Sequence, residues 1–90
     1  MTGGNTADIT LQPNPVRDHF QINMLSTADR NVQVLIYDVT GQLVKTMNNQ
    51  VKKGNTTIAV SDFHSWAKGI YTVKVLSGKE LFVDRIVLVK

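Results

Sequence analysis

The sequence predicts an all-β sandwich, and three observations carry that reading. Apolar residues recur at every second position in short runs; in residues 19–24, Phe20, Ile22 and Met24 share one phase. Turn-forming residues interrupt those runs roughly every 8 to 12 residues, the spacing of a sandwich. No segment sustains a 3.6-residue apolar period beyond one or two turns, so no long helix is expected.

Each element follows from its local pattern. Residues 1–7, rich in Gly, Thr and Asn, read as a flexible linker or a tag remnant, which leaves 8–90 as the domain. Residues 8–12 alternate and form a short edge strand. Pro13 and Pro15 stop it, and Pro15 keeps Asn14 out of the helical region, so Pro13-Asn14-Pro15 is a stiff turn. Residues 19–24 form a half-buried strand. In 32–37 both phases are partly apolar (Val32, Val34, Ile36 against Gln33, Leu35, Tyr37), which predicts a more central strand. Asp38-Val39-Thr40-Gly41 is a turn, Asp38 bonding its own turn backbone and Gly41 free to take positive φ. Residues 43–47 return as the second arm of a hairpin.

Residues 48–54 read as a polar connector and 55–60 as a strand with Ile58 and Val60 inward. The pattern breaks at 61–68, where Ser61 or Asp62 would cap a single helical turn that carries Phe63 and Trp66 to the core. Gly69 opens a strand over 70–76 with Tyr71, Val73 and Val75 on one face. Ser77-Gly78-Lys79 turns the chain into a last strand, 81–89. There Leu81 and Val83 share one phase, Ile86 and Leu88 the other. That predicts a β-bulge near Asp84-Arg85 or a strand buried on both faces. The sum is about seven antiparallel strands, an immunoglobulin-like β-sandwich without the Cys…Trp…Cys arrangement of antibody domains. A barrel is the alternative.

Composition narrows the function classes. Ninety residues make one domain, which buries only about 60–65% of its unfolded surface. One thin core leaves little room for a deep pocket. There is no cysteine, so neither a disulfide framework nor a thiolate metal site is available. The net charge is +3, and the ten Lys and Arg residues are scattered, with Lys52-Lys53 the one adjacent pair. That is not the basic stripe of a nucleic-acid binder. No apolar run approaches the ~20 residues that span a bilayer. The first residues lack the basic start and apolar stretch of a signal peptide, so an export leader is expected to lie outside this chain.

The residues that could carry chemistry do not assemble into a reaction. His19 and His64 each have a carboxylate nearby in sequence, Asp18 and Asp62. A hydrolytic triad also needs a serine on a strained turn, and Ser61, Ser65 and Ser77 have no such context. Asp38 and Asp62 stand at separate turns, not in the clustered oxygen set of a calcium loop. No glycine-rich phosphate loop is present. The reading is a non-enzyme with no catalytic residue, metal ligand or cofactor. Tyr71 fits a structural role, its hydroxyl tying a corner of the sandwich to the backbone. Trp66 reads as a core lid with Phe63, against the alternative of an exposed carbohydrate-stacking platform.

Three signals occur in order: Pro13-Asn14-Pro15; Tyr37-Asp38-Val39-Thr40-Gly41-Gln42-Leu43-Val44; and Gly69-Ile70-Tyr71-Thr72-Val73. Together, from about Leu11 to Lys90, they resemble the C-terminal sorting domains of the type IX (Por) secretion system. Trp66 and Thr72 depart from residues frequent in that family. The resemblance implies a domain recognised as a folded unit that directs a passenger across the outer membrane of a Gram-negative bacterium of the Bacteroidetes type. The passenger would go through the periplasm to the cell surface or the medium. It implies as partners the outer-membrane translocon and its shuttle or sortase-like proteins. It also implies cleavage, where that occurs, in the linker ahead of Pro13. On this reading Pro13, Asn14, Pro15, Tyr37, Asp38, Gly41, Gly69 and Tyr71 shape the signal, and the final strand, with Val89 and Lys90, contacts the machinery. A carbohydrate-binding or adhesive fibronectin-like module is the rival function. Exposed edge strands would also permit a weak homodimer.

Overall fold

A computed structural model describes residues 8–12, 16–61, 65–78 and 80–89. Seven strands form two antiparallel sheets: β1 (Asp8–Gln12), β2 (Phe20–Ser26), β3 (Arg30–Tyr37), β4 (Leu43–Val51), β5 (Gly54–Val60), β6 (Gly69–Ser77) and β7 (Glu80–Leu88). One sheet has the order β1-β2-β5, the other β4-β3-β6-β7. In the seven-strand constant immunoglobulin arrangement the fourth strand completes the first sheet; here β4 lies beside β3 instead. The open sheets set the barrel aside. No helix occurs among the described residues, and residues 65–68 form turns. The alternative cap Asp62, the inward aromatic Phe63 and the candidate His64 lie outside the described residues.

The core sits between the sheets and is built from the phases the alternation implies. Phe20, Ile22 and Met24 of β2 and Ile58 and Val60 of β5 meet Val32, Val34 and Ile36 of β3 and Tyr71, Val73 and Val75 of β6. Burying each such side chain contributes about 1.5–3 kcal/mol, which for a disulfide-free chain is the main stabilising term. β3 is interior, flanked by β4 and β6, as its two apolar phases require.

Two expectations are corrected. Residues 48–51 are not connector. β4 continues to Val51, which is fully buried opposite Arg30. The polar side chains of Asn48 and Gln50 stand on the outer face, where polarity costs nothing. The bulge is not in the last strand either. β6 and β7 pair in unbroken register from Ser77↔Glu80 to Gly69↔Leu88. The shift lies in the first hairpin, between Ile36↔Lys45 and Tyr37↔Leu43, with Val44 the extra residue. Nor is β7 buried on both faces: Leu81, Val83 and Val87 are exposed.

Val16 joins the two halves of the chain. Its N–H donates to the Val87 carbonyl and its carbonyl accepts from the Val89 N–H, both at 2.7 Å. This is an isolated parallel bridge across Leu88, on the outer edge of β7. Val16, Ile86 and Leu88 are all buried there.

Candidate recognition surface

The middle and last sequence signals meet at one end of the sandwich. Asp38 organises the first hairpin turn. One carboxylate oxygen accepts from the Thr40 N–H (2.9 Å), the Thr40 hydroxyl (2.6 Å) and the Gln42 N–H (3.0 Å). The backbone closes with Asp38 N–H to Gln42 carbonyl and Gly41 N–H to Asp38 carbonyl. Gly41 has φ +89°, a conformation that L side chains rarely adopt. These donors, the Thr40 hydroxyl foremost, hold the Asp38 carboxyl below its ordinary range.

Beside this turn, Tyr71 rises from β6 with its ring buried and its hydroxyl donating to the Ala67 carbonyl at 2.5 Å. That tie spans the irregular residues before Gly69. Burial, and then the negative charge of Asp38, push the Tyr71 hydroxyl above its ordinary pKa. Trp66 is half-buried, packs against the core and stacks on Tyr71, with centroids 5.1 Å apart at 28°. A cleft of about 290 Å³ separates the Asp38 turn from residues 65–71. A second, about 540 Å³, opens onto the outer face between Tyr37, Ile70, Thr72, Lys74 and Arg85. The Lys74 ammonium lies 4.9 Å from the centroid of the half-buried Tyr37 ring. Both aromatic residues are thus partly covered, and neither is a free stacking platform.

The structure therefore brings Tyr37, Asp38, Gly41, Gly69 and Tyr71 together. Val89 is held at the opposite edge of β7 by Val16, half-buried. Pro13, Asn14, Pro15 and Lys90 lie outside the described residues. His19 is exposed and bonded to Asp18 at 2.8 Å, away from both clefts. Two residues escaped sequence reasoning. Val16 is a lone apolar residue after the Pro-Asn-Pro turn, with no alternation to reveal its partner. Asp84 stands in the inward phase of β7, opposite Val73, yet is exposed and accepts from the Arg85 N–H at 2.8 Å.

The family model for a secretion system C-terminal sorting domain matches residues 10–90. The chain belongs to the type IX secretion C-terminal sorting domain family. Among solved structures it resembles a segment of dimeric latent PorU from Porphyromonas gingivalis, with TM-score 0.74 and 26% identity over 93% of this chain. It also resembles part of a β-glucosidase from Listeria innocua in complex with glucose, at TM-score 0.51 and 15% identity over 94% of this chain, a likeness of fold alone. The chain spans 9% of the first protein and 16% of the second. No curated protein matches significantly. The sorting-domain family is not a catalytic one, and membership implies export toward the outer membrane or cell surface.

Proposed function

We propose that this domain is a non-catalytic C-terminal secretion signal, read as a folded unit by type IX machinery. It directs a passenger through the periplasm and across the outer membrane to surface attachment or release. Its partners are the outer-membrane translocon and its shuttle or sortase-like proteins. The observation that supports this most is that the family match runs over residues 10–90 and reaches all seven strands of both sheets. A signal that needed only a linear motif would not require both sheets. Holding the Asp38 turn and Tyr71 corner in one rigid arrangement lowers the ordering entropy a partner must overcome. A carbohydrate-binding reading lacks a free aromatic platform among the described residues.

The test is a reporter carrying an export leader and this domain, expressed in a Bacteroidetes-type bacterium. The wild-type fusion is expected at the surface or in the medium. Ile36→Asp places an unpaired carboxylate at a fully buried site and should unfold the domain. Its fusion is expected to stay in the periplasm. Equal export of a demonstrably unfolded Ile36→Asp domain would overturn recognition as a folded unit.

A further inference from the structure

The two sheets present chemically different outer faces. Directly paired residues in antiparallel strands share a face, so the registers assign each side chain. On the β1-β2-β5 sheet the outer residues include Thr10, Gln21, Asn23, Asn55 and Thr57, with Leu25 the large exposed apolar side chain. That is the neutral polar face expected of a sheet in water.

The β4-β3-β6-β7 sheet differs. Its outer face is polar on the β4 side, with Asn31, Gln33, Asn48 and Gln50, but apolar toward β6 and β7, with Leu35 and Tyr37 from β3, Ile70 and Leu76 from β6, and Leu81, Val83 and Val87 from β7. Ile70, Leu81, Val83 and Val87 are 47%, 56%, 50% and 42% exposed. Two cations stand among them, Lys74 opposite Val83 and Arg85 opposite Thr72. No Asp or Glu of these four strands shares their phase. Glu80 and Asp84 take the other phase, and the Asp38 carboxylate at the cleft rim is turned onto Thr40 and Gln42. Adjacent exposed apolar side chains rimmed by polar residues are a feature of interaction sites.

We propose that this face, centred on the Tyr37–Lys74–Arg85 cleft and extended over Val83 and Leu81, is the surface that the secretion machinery docks against. This rests on the sorting-signal reading above. The partner surface it fits is a protein that presents carboxylates among apolar side chains, one of them reaching between Lys74 and Arg85. A second copy of this chain fits poorly over this centre, because a two-fold axis through the cleft would bring the two copies' cations together. An anionic membrane is also a weaker fit, since lipid-binding segments gather roughly four to eight basic residues. Backbone pairing adds little. Val16 covers Val87 and Val89, and the Asp84 carboxylate occupies the Arg85 N–H.

The reporter fusion tests this with two double variants. Lys74→Glu/Arg85→Glu reverses the face. Gln12→Glu/Ala59→Glu adds carboxylates to the opposite sheet. Thermal melts establish that both fold. The expected result is a fall in export of about tenfold or more for the first, export within about twofold of wild type for the second, and recovery by Lys74→Arg/Arg85→Lys. Failure of the wild-type fusion to export would overturn the sorting reading and this surface with it. Export of the wild type together with equal export of folded Lys74→Glu/Arg85→Glu would overturn the surface alone. Two further outcomes would overturn the protein partner: binding to phosphatidylglycerol vesicles, or self-association in solution, that the same variant abolishes.

Discussion

At the residue scale, the Asp38–Tyr71 corner makes opposite demands on two acids. Asp38 is held as a carboxylate, so its contribution to stability is present above its unfolded pKa of about 3.9 and is lost as pH falls through its lower folded value. Asp38→Asn keeps an acceptor but cannot titrate. Its melting temperature should change less between pH 5 and pH 2 than that of wild type; parallel curves would remove Asp38 from the acid limb. Tyr71 behaves the other way. Its folded pKa is raised, so stability is complete below about pH 10 and declines as pH rises toward the folded value. Tyr71→Phe strands the Ala67 carbonyl and should cost about 1 kcal/mol at pH 7 by urea titration. It should also flatten the alkaline limb. A variant as stable as wild type would mean that the hydroxyl does not tie the corner. Both roles were legible in the sequence, because turn chemistry is local: Asp precedes Thr and Gly by fixed offsets. The Lys74 contact with Tyr37 was not, since it depends on register between strands 35 residues apart in pairing.

At the element scale, β7 shows what alternation can and cannot reveal. Its apolar residues change phase midway, which sequence logic assigns to a bulge. The register instead runs straight through, and Leu81 and Val83 face outward. Alternation reports which residues share a face; it does not report that an apolar set is left in water. Asp84 supplies the missing physical sense. An inward-phase charge on an edge strand discourages pairing with another sheet, and its carboxylate occupies the next N–H. Asp84→Val should therefore promote concentration-dependent association, seen by light scattering, with no loss of melting temperature. A variant that remained monomeric at high concentration would show that the edge is protected by other means. The end of β7 also carries a warning for truncation studies. Removing residues 88–90 deletes fully buried Leu88 and the Val89 bond to Val16. Lost export would then report unfolding as readily as lost recognition.

At the scale of the whole molecule, a thin core supports a sharp division of labour. Buried residues from both sheets fix the shape, the β1-β2-β5 sheet turns a neutral polar face outward, and the β6–β7 side of the other sheet carries the apolar and cationic residues proposed above to meet a partner. The general fold followed from periodicity and turns alone. The difference between the outer faces did not, because it needs the strand order β4-β3-β6-β7, which places distant residues side by side. No linear spacing links Tyr37, Lys74 and Arg85.

The bridge at Val16 also fixes how the domain bears mechanical load. A passenger joined ahead of residue 8 would pull on β1, an edge strand paired to β2 alone, with Ile9 and Leu11 packed against the core. Tension at Asp8 loads the Asp8↔Leu25 end of that pairing first. Beyond it, Val16 is clamped to the backbone on both sides of Leu88, and its side chain is sealed in the core. Traction that frays the first strand must therefore break two hydrogen bonds and extract a buried valine before it reaches β2. Fraying of the first strand and release of Val16 are thus separate mechanical steps.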